Sequence, residues 1–79
     1  MTINDENDLG IQPLDALMKK LGLSNHDLVA ASTEQLSHKV VQKGRSGRRL
    51  TPKARTKILN ALHSALPEQK FAHRDLFNY

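Results

Sequence analysis

The 79-residue sequence contains no cysteine and no tryptophan, so neither a disulfide framework nor a thiolate metal site is available to it. Its three aromatic residues, Phe71, Phe77 and Tyr79, all fall within the last nine positions, and the rest of the core has to be aliphatic. No run approaches the roughly 20 consecutive apolar residues that a bilayer-spanning helix needs. The start, MTINDENDLG, is acidic and polar, unlike the basic-then-apolar order of a secretory signal. These absences lead us to expect a cytoplasmic protein with no membrane contact. The most informative absence is local. Between Gln35 and Pro67 there is no Asp or Glu, while Lys39, Lys43, Arg45, Arg48, Arg49, Lys53, Arg55 and Lys57 all occur. The other residues hold four bases against eight acids, so the net charge of +4 conceals a segment of +8. A basic stretch unrelieved by carboxylates is an electrostatic footprint for polyanions.

A chain of this length makes one domain and buries only about 60% of the surface its unfolded form exposes. Aliphatic residues at helical spacing then suit a small all-α bundle better than a sheet. Residues 1–11, with Asn4-Asp5-Glu6-Asn7 and no apolar period, read as a disordered acidic tail; residues 12–79 read as the folded domain. Leu14, Leu17, Met18 and Leu21 line one face of a first helix that Pro13 opens and Gly22 closes. Lys19 and Lys20 complement its negative end. Ser24 and Asp27 form a capping box, with Leu23 and Leu28 as the apolar staple, for a second helix over 25–31.

A further hydroxyl cap within Ser32-Thr33-Glu34-Gln35 predicts a third helix over 33–43, only a few residues after the second. Leu36 and Val40 would face its core, with Thr33, Ser37 and Val41 at the margins, and Gln35, His38, Lys39 and Gln42 would make an all-polar outer face. Gly44-Arg45-Ser46-Gly47-Arg48-Arg49 breaks helicity twice and reads as an exposed loop. Thr51-Pro52 opens a fourth helix whose buried stripe is Ala54, Ile58, Ala61, Leu62 and Ala65, and Pro67 ends it. In the tail, Phe71, Leu76 and Phe77 carry enough apolar surface to pack back over the bundle.

Two short helices joined by a tight turn, the second with a polar outer face, describe a helix-turn-helix, whose second helix reads base edges in the major groove. Gln35, His38, Lys39 and Gln42 are the base-reading candidates. Thr33, Lys43, Arg45, Arg48, Arg49, Lys53 and Arg55 are the phosphate-contact candidates, with helix amides near Thr51 as further donors. Lys57 is as well explained by a solvated face.

The segments Leu21-Gly22-Leu23-Ser24-Asn25-His26-Asp27-Leu28-Val29, Val41-Gln42-Lys43-Gly44, Gly47-Arg48-Arg49-Leu50-Thr51-Pro52, Ile58-Leu59-Asn60-Ala61-Leu62 and Leu76-Phe77 together resemble the Cro/phage-repressor type of helix-turn-helix protein, over roughly residues 14–77. The resemblance implies a lambda-repressor-like bundle of four or five helices and sequence-specific binding of double-stranded DNA by a transcriptional regulator, with a possible homodimer. The 33–43 helix would enter the major groove and the 45–55 segment would hold phosphates. Where the family usually has a turn glycine, this chain has Ala31-Ser32-Thr33.

Other chemistries find little support. His26, His38, His63 and His73 include no pair at i, i+4, so no metal is expected. Ser24 and Ser32 are accounted for as caps, and no base or oxyanion site accompanies them. Asp15 and Asp27 read as helix-start charges. We therefore expect no enzyme and no cofactor. The rival reading is a protein–protein adaptor or antitoxin-like module on the same fold, its basic loop on an acidic partner and its 71–79 tail completing an interface. Structured RNA is disfavoured, since no aromatic residue lies near the basic stretch to stack on unpaired bases.

Overall fold

Local signals set the ends of the first two helices. Helix α1 (Pro13–Leu21) has proline in its first turn, where the missing N–H is no loss. It ends at Gly22, whose φ of 72° is open to glycine at no steric cost. There Gly22 N–H donates to the Lys19 carbonyl at 3.2 Å and Leu23 N–H to the Met18 carbonyl at 2.9 Å, the paired bonds of a Schellman turn. Helix α2 (Asn25–Ala31) opens with the expected capping box: Asp27 N–H donates to Ser24 Oγ at 3.1 Å and Ser24 N–H to Asp27 Oδ2 at 2.8 Å. The computed structural model describes residues 10–78. Most of the expected acidic tail (residues 1–9), and Tyr79, lie outside the described residues.

The third helix departs from expectation. Helix α3 is His38–Ser46, so it starts five residues later and ends three residues later than the 33–43 span. Six residues, 32–37, connect it to α2, not a tight turn. The competition among hydroxyl caps explains the shift. Ser32 is spent on its own turn, its Oγ accepting from Glu34 N–H at 3.1 Å and donating to the Glu34 carbonyl at 3.0 Å. Ser37 caps α3 instead, accepting from Val40 N–H at 3.2 Å. Leu36 is thereby buried from the connection, and Val41, expected at the margin, is the fully buried valine while Val40 is only half-buried.

Gly44 does not break the helix. It is a buried helical residue at the inner face of α3, and a Cβ there would lie 3.1 Å from Leu50 Cδ1, 3.2 Å from Ile58 Cδ1 and 3.4 Å from Phe77 Cε1. The missing side chain thus lets α3 approach the fourth helix and the tail closely. Gly47 ends α3 at φ 102°, and a Cβ there would collide with the backbone of Gly10. The expected exposed loop therefore shrinks to the few residues after Gly47.

Helix α4 (Pro52–Ala65) begins where Thr51 Oγ1 accepts from Ala54 N–H at 3.1 Å, and it buries Ile58, Ala61 and Leu62. Ala54 and Ala65, placed on the same stripe, are only half-buried. The tail folds back as the short helix α5 (His73–Leu76), started by Asp75 Oδ2 accepting from Ala72 N–H at 2.8 Å. Leu76 and Phe77 are sealed into the core with Leu14, Met18, Leu28, Val41, Ile58 and Leu62. Gln12 ties three segments together while 1% exposed. Its N–H donates to the Arg45 carbonyl at 3.0 Å, its Nε2 to the Gly10 carbonyl at 2.9 Å, and its Oε1 accepts from Asn78 N–H at 2.8 Å. The described residues form a compact all-helical fold of five helices without a strand, and none of the helices is long and apolar enough to cross a membrane.

Candidate nucleic-acid interface

Each candidate's position follows from the element that carries it. With α3 starting at His38, Thr33 and Gln35 belong to the connection ahead of the helix, and both are exposed. Gln35 is therefore not on the outer face of α3. It lines an open cleft of about 480 Å³ with Glu34, Lys53, Thr56 and Lys57, which places it beside the first turns of α4. Glu34 is partly engaged there, its Oε1 accepting from Asn60 Nδ2 at 3.3 Å. His38, Lys39, Gln42 and Lys43 are exposed along α3.

Two of these side chains are held by α2. Gln42 Oε1 accepts from Asn25 Nδ2 at 3.0 Å, so the Gln42 acceptor is committed inside the protein. His38 Nε2 lies 3.4 Å from His26 Nδ1, with ring centroids 5.5 Å apart and an interplanar angle of 16°. Neither partner belongs to the basic stretch. Asn25 and His26 sit at the start of α2, and only tertiary packing brings them to α3, which is why spacing along the chain does not reveal them.

The cations divide into two groups. Arg45, expected in an exposed loop on phosphate, is in the last turn of α3, and its side chain is only 13% exposed. Its Nε donates to Asp15 Oδ1 at 2.8 Å and its Nη1 to Asn25 Oδ1 at 2.7 Å, joining α1, α2 and α3. Partial burial pushes the Asp15 carboxyl up, but the Arg45 and Lys19 hydrogen bonds and charges outweigh it and hold Asp15 below the usual carboxylate range. Asp27 is lowered as well, chiefly because Ser24 N–H donates to it. The Lys19–Asp15 contact of 3.2 Å involves a lysine 71% exposed and adds little.

Lys43, Arg48, Arg49 and Lys53 are exposed, spanning the end of α3, the turn and the first turn of α4; Arg55 and Lys57 are half-buried on α4. Among the described residues no group of three or more His, Asp or Glu is placed to hold a metal ion. The apolar tail residues Leu76 and Phe77, candidates for an intermolecular contact, are used inside the fold. Comparison with known proteins found no matching family model, no matching curated protein and no matching solved structure.

Proposed function

We propose that the chain binds double-stranded DNA, as a transcriptional regulator of lambda-repressor-like arrangement, with α3 toward the major groove and the exposed cations around it on the phosphates. One observation carries the reading: Lys39, Lys43, Arg48, Arg49 and Lys53 are all exposed within a stretch of sequence that contains no carboxylate. Such a surface meets a polyanion without internal competition from its own segment. The 32–37 connection is longer than the three or four residues of the tight turn, so the support comes from the charge and the helix and not from the turn.

On this reading, each side chain's role follows its exposure and its position along the chain. Lys39 and Gln42 are the base-edge candidates on α3, with His38 at its start. Because Gln42 Oε1 already accepts from Asn25, its Nε2 is the group left to offer, which suits an acceptor edge such as guanine N7/O6 or thymine O4 better than the bidentate adenine pairing. Lys43, Arg48, Arg49 and Lys53 are the phosphate contacts, and Arg45 is withdrawn from that set. With Leu76 and Phe77 inside the core, an adaptor role built on the tail loses its apolar anchor.

Fluorescence anisotropy titrations of the full chain with random duplex DNA, single-stranded DNA and structured RNA at low salt test this directly. Duplex binding stronger than either alternative is expected. Absence of duplex binding would end the proposal. In a binding protein, Lys39→Ala and Gln42→Ala should change which duplex is preferred more than they change average affinity.

A further inference from the structure

Four polar side chains from three helices form one relay: Asp15 of α1, Asn25 at the start of α2, and Arg45 and Gln42 of α3. Asp15 Oδ1 accepts from Arg45 Nε at 2.8 Å, Asn25 Oδ1 accepts from Arg45 Nη1 at 2.7 Å, and Asn25 Nδ2 donates to Gln42 Oε1 at 3.0 Å. The order of donors and acceptors along the relay is dictated by its cation. A guanidinium has no acceptor, so Asn25 can bond Arg45 only through its amide oxygen. The Asn25 NH₂ group is then the end that faces Gln42, and it can bond only the oxygen of the Gln42 amide. We infer that Asn25 is a positioning residue that sets the base preference of Gln42, by turning the Gln42 oxygen inward and its NH₂ group outward toward an acceptor edge such as guanine N7/O6 or thymine O4.

One end of the relay is an anchor and the other is open. The Arg45 and Asp15 side chains are 13% and 17% exposed, Asn25 is half-buried and Gln42 is exposed. Turning the Asn25 amide over would aim its NH₂ group at the guanidinium N–H donors and lose a charge-assisted bond. Gln42 has no such constraint of its own, because the terminal torsion of a glutamine is broad and roughly two-fold. Its orientation is therefore borrowed from Asn25, which is the first residue of α2 and is held in place by the Ser24–Asp27 capping box beside it.

The base preference rests on the reading of α3 as the groove-facing helix; the orientation of the amide does not. Asn25→Asp separates orientation from packing, since it keeps the shape of the side chain and its bond to Arg45. A carboxylate offers Gln42 only acceptors, so the Gln42 amide has to turn and donate its Nε2 inward. Its Oε1 then faces outward and suits a donor edge, adenine N6 or cytosine N4. Asn25→Ala removes the constraint, and Gln42 then presents either end.

Two readouts on the full chain test this. NMR of the side-chain amides without DNA should find one Asn25 amide proton at a hydrogen-bonded shift and the Gln42 amide protons at solvent-exposed values. In Asn25→Asp, a Gln42 amide proton should move downfield; in Asn25→Ala, both should stay at exposed values. Selection from a random duplex pool then reads the base position whose preference Gln42→Ala abolishes. Guanine or thymine is expected there for the unsubstituted chain, with a shift of about tenfold toward adenine or cytosine in Asn25→Asp and a flattened preference in Asn25→Ala. Gln42 amide shifts that ignore Asn25→Asp would overturn the positioning role whatever the DNA result, and a base preference that survives Asn25→Asp would overturn its control of specificity. Absence of duplex binding, with the amide shifts as expected, would end the DNA reading and the base preference with it, while establishing that Asn25 orients Gln42.

Discussion

Arg45 and the Arg48–Arg49 pair are three residues apart in one acid-free stretch, yet the fold treats them in opposite ways. Arg45 is drawn inward at the end of α3, where it joins Asp15 of α1 to Asn25 of α2. Arg48 and Arg49, just past the glycine that ends the helix, are exposed. The carboxylate Arg45 needs is absent from its own segment and is supplied from 30 residues away. A count of charges along the chain treats all three alike; only the helix end separates a cation that holds the fold from cations that face outward. The partition makes α3 a two-sided element, with a packed seam toward α1, α2 and α4 and a basic side beyond it.

The seam can be broken most severely at Gly44. Adding a branched side chain where three core atoms lie within 3.4 Å should overpack the α3–α4 contact, so Gly44→Val should cost about 3 kcal/mol in chemical denaturation. Next comes Arg45→Ala. Fully buried pairs cost 3–5 kcal/mol to break, and since both partners here keep some exposure, a loss of about 2 kcal/mol is expected. A change within about 0.5 kcal/mol, ordinary for a surface residue, would put Arg45 back among the outward-facing cations.

Smaller effects sharpen where α3 begins. Ser37→Ala removes the cap and should cost about 1 kcal/mol, whereas Thr33→Ala, in the exposed connection, should cost close to nothing. The reverse order would favour a helix starting at residue 33. The pH dependence of the seam follows from Asp15. Its folded pKa lies below the ordinary carboxylate value, so its contribution to stability is present above that ordinary value and is lost as pH falls through the lower folded one. Unfolding followed from pH 5 downward should show that loss in the unsubstituted chain and less of it in Arg45→Ala, where the carboxylate has lost its main partner.

Much of the fold was legible wherever the signal was local. Pro13, Gly22, the Ser24–Asp27 box and the Thr51-Pro52 start each fix a helix end with atoms a few residues apart, and the structure places them as the spacing predicts. The start of α3 was not legible, because Ser32, Thr33 and Ser37 are all competent hydroxyl caps. The choice among them depends on burying Leu36 and Val41 against other helices. Gly44 misled for a related reason: glycine in sequence signals a break, but here the missing Cβ serves a close approach that only packing reveals. For the candidate site, the exposed Lys39, Lys43, Arg48, Arg49 and Lys53 could be anticipated from charge alone. The diversion of Arg45 to Asp15, the hold of Asn25 on Gln42, and the facing of His26 and His38 are tertiary facts.

The salt dependence of duplex affinity, compared between the unsubstituted chain and Arg48→Ala/Arg49→Ala, tests the central claim most directly. If Lys43, Arg48, Arg49 and Lys53 meet phosphates, log affinity should fall with log salt at a slope of about −0.9 per contact, near −4 in all. The double substitution should flatten that slope by about 2 and weaken every duplex alike. An affinity that ignores salt, or a slope unmoved by losing both arginines, would contradict the account.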